Sequence, residues 1–70
     1  MREYVENTVH ALRVAEDVTQ EALADSLGVS RQTVIAIEKG NYTPSILLAL
    51  KVAAYFQVSV EKVFRIVREK

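Results

Sequence analysis

The chain has 70 residues, 50% of them apolar, with nine basic and nine acidic side chains and a formal net charge of zero. That length holds one domain, taken as residues 1–70, whose core is modest enough to need very regular helix packing, a partner subunit, or both. The absence of cysteine excludes a disulfide framework, and His10, the lone histidine, leaves no metal or cofactor site to expect. Neutrality excludes coating of nucleic acid by bulk charge, though not a specific reader with a locally basic edge.

The opening Arg2-Glu3-Tyr4-Val5 alternates weakly and can form a short strand. Asn7 or Thr8 can cap a first helix running to about Glu16, on which Val9, Leu12, Arg13 and Glu16 share one face at spacings of three and four. Asp17-Val18 connects. Thr19 caps a second helix, where Gln20 and Glu21 follow and the acid suits the positive first turn. Leu23, Ala24 and Leu27 form its inner stripe. Gly28 ends it in the left-handed conformation that glycine enters cheaply, and Val29 plugs the corner.

Ser30 caps a third helix running from Arg31 to about Lys39, and Gly40 stops it. At about 100° per residue, Ile37 and Glu38 flank Val34 on the inner side, while Gln32, Ile35, Ala36 and Lys39 point the other way. Two short helices joined by a glycine turn are the physical form of a helix-turn-helix, here at about 19–39. Its outer stripe carries side chains suited to a groove, and Glu38 faces inward beside apolar neighbours.

Asn41-Tyr42-Thr43-Pro44 is a loop, and Ser45 caps a fourth helix from Ile46 to about Phe56. Leu48, Ala49, Val52, Ala53 and Phe56 form its core side, but Leu47, Leu50 and Ala54 lie elsewhere. A helix so apolar all round is expected to be buried on more than one face. Gln57-Val58 turns the chain, and Ser59 caps a last turn, Val60 to Val63. The β-prone end, Phe64 to Arg68, can pair antiparallel with Arg2–Glu6. Lys62, Arg65, Arg68 and Lys70 read as a solvated basic tail. No run of roughly 18 apolar residues spans a membrane and no signal peptide opens the chain, so a cytoplasmic protein is expected.

The stretch Thr19-Gln20-Glu21-x-Leu23-Ala24-x-x-Leu27-Gly28-Val29-Ser30-Arg31-Gln32-Thr33-Val34-x-Ala36-Ile37-Glu38 resembles the helix-turn-helix of the Cro/C1 repressor superfamily, the XRE family. The continuation Gly40-Asn41-Tyr42-Thr43-Pro44-Ser45, then Leu48 to Ala53 and Phe56-x-Val58-Ser59, is similar to its compact prokaryotic regulators. The likeness covers roughly residues 8 to 64. It implies an all-α, five-helix, lambda-repressor-like DNA-binding domain, and a cytolysin-regulator-like subgroup adds a two-stranded antiparallel sheet joining the termini.

Carried over residue by residue, the resemblance implies that Gln20 touches a backbone phosphate. Arg31, Gln32 and Thr33 would reach base edges or adjacent phosphates, and Ala36 would sit near the groove floor. Lys39, Asn41 and Tyr42 would grip the next phosphates. Arg13 and Glu38 occupy positions where the family often has a partly buried ion pair. Three departures stand out. Glu16-Asp17 replaces glycine or lysine, so Asp17 is expected at positive φ; Ile35 stands where a small or polar residue is common; and Leu47 replaces a common exposed acid.

These residue types suit a major groove. Gln32 offers the donor and acceptor that match adenine, Arg31 can pair bidentately with guanine, and Ile35 can meet a thymine methyl, each good bidentate pair discriminating by about 1–3 kcal/mol. One recognition helix reads few base pairs, so a homodimer on a pseudopalindrome of double-stranded DNA is expected. The surplus apolar residues Leu47, Ala54, Tyr55, Val58, Val60, Phe64 and Ile66 supply a two-fold interface, with Tyr55, Val58, Val60, Phe64 and Ile66 as its main members. The expected function is a sequence-specific transcriptional regulator, most simply a repressor acting by occlusion. An antitoxin-like or adaptor protein-binding module is the alternative. No catalytic constellation, small-molecule pocket or membrane segment is expected.

Overall fold

The computed structural model describes residues 2–70. Its elements run β1 (Arg2–Asn7), α1 (Val9–Ala15), α2 (Gln20–Leu27), α3 (Arg31–Glu38), α4 (Ile46–Phe56), α5 (Val60–Val63) and β2 (Phe64–Glu69). The helices stop and start where local chemistry directs. The hydroxyls of Thr19, Ser30 and Ser45 accept from the amides of Ala22, Thr33 and Leu48, each satisfying an otherwise orphaned first-turn donor. Gly28 takes φ +75° at the end of α2, where the amide of Val29 reaches back to Ala24 O at 3.1 Å.

Thr8 holds the N-cap position of α1, but its hydroxyl donates to Lys62 O; it is Asn7 Oδ1 that accepts from the Val9 amide. The inner face of α1 keeps Val9, Leu12 and Arg13 and loses Glu16, which lies exposed because the helix ends at Ala15. Asp17 adopts φ 56° in the connector, as its place in the turn requires.

One core gathers Val9, Leu23, Ala24, Leu27, Val34, Ile37, Leu48, Val52, Ala53 and Val63, so every helix contributes to it. Each such side chain contributes about 1.5–3 kcal/mol if fully buried, less for alanine.

The two-stranded sheet expected to join the termini is present, so the fold is five helices with a small sheet rather than all-α. β1 and β2 pair antiparallel over six residues each, one longer at each strand than Arg2–Glu6 and Phe64–Arg68, in the register Arg2↔Glu69 to Asn7↔Phe64. The C-terminal basic residues are correspondingly not a loose tail. Arg68 Nε bonds Glu3 Oε2 at 2.7 Å, Arg2 Nη1 lies 3.2 Å from Glu69 Oε1, and Arg65 pairs with Glu6. Exposed pairs of this kind contribute about 0–1 kcal/mol each, so they set register more than stability.

Candidate nucleic-acid interface

Because Val34 and Ile37 hold the inner side of α3 against the core, the helix period turns Arg31 and Gln32 outward at its start and Lys39 outward at its end, all exposed. Ile35 and Ala36 lie between them, partly covered. Thr33 is also half-covered, and its hydroxyl is 3.0 Å from that of Ser30, so part of its bonding capacity is spent on the cap. Asn41 and Tyr42 are exposed in the loop after α3. The Asn41 amide bonds Ala36 O at 2.9 Å, which fixes where that loop leaves the helix.

Gln20 and Arg31, which open α2 and α3, meet at one depression of about 450 Å³ that Arg13, Thr19 and Glu21 also line. Tyr42 stands apart, beside a shallower hollow formed by Leu27, Gly28, Val29, Ser45, Leu47, Leu48 and Lys51. Of the expected contacts, Gln20 belongs to α2, Arg31, Gln32, Thr33, Ile35 and Ala36 to α3, Lys39 to its C-cap, and Asn41 and Tyr42 to the loop beyond it.

Beneath that surface lies a charged pivot. Arg13 Nε donates to Glu38 Oε2 at 2.8 Å and Arg13 Nη2 to Oε1 at 3.2 Å, a fork that joins α1 to α3. The two side chains are 11% and 7% exposed. Arg13 Nη1 also donates to Val18 O at 3.0 Å, tying down the connector around Asp17. Gln20 Nε2 donates to Glu38 Oε1 at 3.1 Å. Burial would push the Glu38 carboxyl up, but the hydrogen bonds from Arg13 and Gln20 and the Arg13 charge outweigh it and hold it below the ordinary carboxylate value. The same bond from Arg13 to Glu38 raises the guanidinium still further into its charged form.

His10 is exposed, yet its Nδ1 sits 2.9 Å from Arg13 Nη2 and 3.3 Å from Glu38 Oε1. Lys51 Nζ donates to Leu27 O at 3.0 Å and so caps the C-terminal end of α2 from α4. The Lys51 contact was not legible in the residue pattern, since it depends on how α2 and α4 cross, whereas His10 and Arg13 are neighbours three apart on α1. Among the described residues, no buried side-chain nitrogen or oxygen is left without a partner.

A helix-turn-helix family model matches residues 9–63. The chain belongs to the XRE-type helix-turn-helix transcriptional regulators. It is 52% identical over 60 residues to the uncharacterized HTH-type transcriptional regulator MJ0272 of Methanocaldococcus jannaschii, covering 86% of this chain and 91% of that protein. The restriction-modification controller protein C.AhdI of Aeromonas hydrophila superposes with a TM-score of 0.72 at 30% identity, over 77% of this chain and 82% of that one. The transcriptional regulator VanUg matches 99% of this chain and 92% of its own at a TM-score of 0.77 and 18% identity, which speaks for the fold alone. Transcription regulation and DNA binding are thus the properties of the family this chain joins.

The apolar surface differs from the expected one. Val58, Val60 and Phe64 pack against the chain's own core and are only partly open, whereas Tyr55 and Ile66 are exposed. Three further exposed groups lie on α4: Ile46 is 80% exposed, Leu47 69% and Leu50 53%. With Ala54 they follow one stripe on the helix side opposite Val52. Ile46 and Leu50 were not singled out from the sequence as partner-facing, although α4's all-round apolarity was the signal that could have found them. No helix among the described residues is long and apolar enough to cross a membrane.

Proposed function

We propose that this regulator binds a pseudopalindromic DNA operator as a homodimer and represses by occluding a promoter in the cytoplasm. The observation that carries the reading is the free outer side of α3. Arg31 and Gln32 stand exposed at its N-terminal end, small Ala36 lies a turn further on, and Lys39 stands at the far end. A helix presenting this order to a major groove brings a bidentate donor and a carboxamide to base edges, lets the backbone approach at Ala36, and leaves Lys39, Asn41, Tyr42 and Gln20 for phosphates. Thr33 and Ile35 complete the proposed contact set.

A single α3 reads too little to be selective, and a two-fold pair of them spaced by about 34–36 Å reads two half-sites. The α4 stripe of Ile46, Leu47, Leu50 and Ala54, and the likewise exposed Tyr55 and Ile66, support self-association, because a 70-residue chain with this much open apolar surface gains by covering it.

Selection of bound duplexes from a random pool tests the proposal. A palindromic consensus is the expected result. No enrichment, together with co-purification of a second protein on the α4 stripe, would replace it with the adaptor or antitoxin-like reading that the same exposed stripe accommodates.

A further inference from the structure

We propose that Asn7 is a positioning residue for α3, setting the tilt at which the recognition surface is presented by tying the end of that helix to the terminal sheet. The proposal rests on α3 being the segment that reads DNA.

Asn7 is the last residue of β1, and its carboxamide joins three elements. Oδ1 accepts from the amide of Val9 at 3.1 Å, at the start of α1. Nδ2 donates to Ile37 O at 2.8 Å, near the end of α3 and thirty positions away in sequence. The partners dictate which way the amide points, since the Val9 N–H can only donate and the Ile37 carbonyl can only accept. Ile37 O also receives the Gly40 amide at 3.0 Å, so both of its lone pairs are used. A carbonyl in the last turn of a helix has no partner within the helix, and here the strand supplies one.

The neighbouring residue strengthens the anchor. The Thr8 amide donates to Val63 O and its hydroxyl to Lys62 O, both at 2.9 Å, fixing the same corner to α5. Asn7 itself faces Phe64 across the sheet, and Phe64 packs on the core. The N-terminal strand is thereby referenced to α5 and the core before its side chain reaches α3. Hydrophobic contacts of Val34 and Ile37 hold α3 in place but are non-directional, whereas hydrogen bonds fix an angle: Arg13 and Gln20 tie Glu38 to α1 and α2, and the 2.8 Å bond from Asn7 adds the reference to the sheet. Bidentate pairing to a base edge depends on such an angle.

The substitution pattern is specific. Aspartate keeps an acceptor for Val9 but has no donor for Ile37 O and opposes it with negative charge. Serine also keeps an acceptor but is too short to span both partners, and it adds no charge. Asn7→Asp and Asn7→Ser in the full chain therefore remove one bond in two electrostatically different ways.

Two readouts test the proposal at a temperature where circular dichroism shows each variant folded, the other variant deciding if one fails to fold. The first is amide hydrogen exchange at Lys39, Gly40 and Asn41, whose N–H groups bond the carbonyls of Ile35, Ile37 and Ala36. The second is affinity for the duplex that the parent selects and for a random duplex. Both variants should exchange about tenfold faster at those amides while Val52 and Ala53 hold, and lose about tenfold on the selected duplex but under about twofold on the random one. Unchanged exchange at the three amides, acceleration spread evenly over the chain, or equal loss on both duplexes overturns the proposal. If the parent selects no duplex, acceleration confined to the end of α3 supports the tether while the DNA-reading role of α3 fails separately.

Discussion

Gln20 Nε2 lies 3.1 Å from Glu38 Oε1, so the residue that opens α2 and faces the proposed DNA surface is bonded to the buried carboxylate of α3. A carboxamide nitrogen carries two protons, and one on Glu38 leaves the second for a phosphate. Gln20→Ala is expected to weaken all duplexes alike and to lower stability by about 1.5–3 kcal/mol, the scale for a hydrogen bond to a charged group. Parallel titrations on specific and random DNA, with urea unfolding, check both halves.

Glu38→Ala strips Arg13 of its charged partner, leaving it only Val18 O and His10 Nδ1, in a site where both side chains are nearly covered. The expected cost is about 3–5 kcal/mol, as for breaking a buried pair. For a domain of this size that is a large share of the total stability. An unchanged urea midpoint would show the pair to be dispensable.

The same carboxylate predicts the acid limb of stability. Glu38 has a lower pKa folded than its ordinary 4.5, so the folded chain holds the charged form more strongly than the unfolded one. Its contribution is fully present above about pH 4.5 and disappears as pH falls through the lower folded value. Unfolding free energy followed from pH 6 down to pH 3 should therefore decline below about 4.5 in the parent and decline less in Glu38→Gln.

Asp17 and Gln57 hold φ 56° and 57° without being glycine. Among the described residues, neither side chain makes a hydrogen bond that a glycine would lose. Gln57→Gly is expected to raise stability by about 0.5–1 kcal/mol and Asp17→Gly by somewhat less, since aspartate enters that region more easily. The converse holds at Gly28, where φ is +75° and an added methyl would meet only Lys51 Nζ at 4.0 Å. Gly28→Ala should cost about 1–2 kcal/mol through the backbone rather than through a clash. Melting curves of the three variants give the signs directly.

Charge placed on the α4 stripe separates association from folding. Leu50→Glu sits on an exposed site and should leave the circular dichroism spectrum intact while shifting a micromolar sedimentation profile from dimer to monomer. A parent that sediments as a monomer would remove the homodimer from the proposal.

Local chemistry alone determined the helix-turn-helix and most boundaries. Thr19, Ser30 and Ser45 cap because a hydroxyl at that point meets a free amide, Gly28 turns because it lacks a Cβ, and the spacing of Leu23, Leu27, Val34 and Ile37 decides which face is buried. The inward aim of Glu38 followed from the same period, and the resemblance named Arg13 as its partner. The tertiary structure decided what depends on separations of tens of residues. It placed Gln20 on Glu38, Lys51 on Leu27 and Asn7 on Ile37, and it gave the expected terminal strand pair its register, with Arg68 opposite Glu3 and Arg65 opposite Glu6. It also covered Val58, Val60 and Phe64 while leaving Ile46 and Leu50 open. Periodicity reports which side of a helix is apolar, but when two sides are apolar only the packing of the other helices selects the one that is buried.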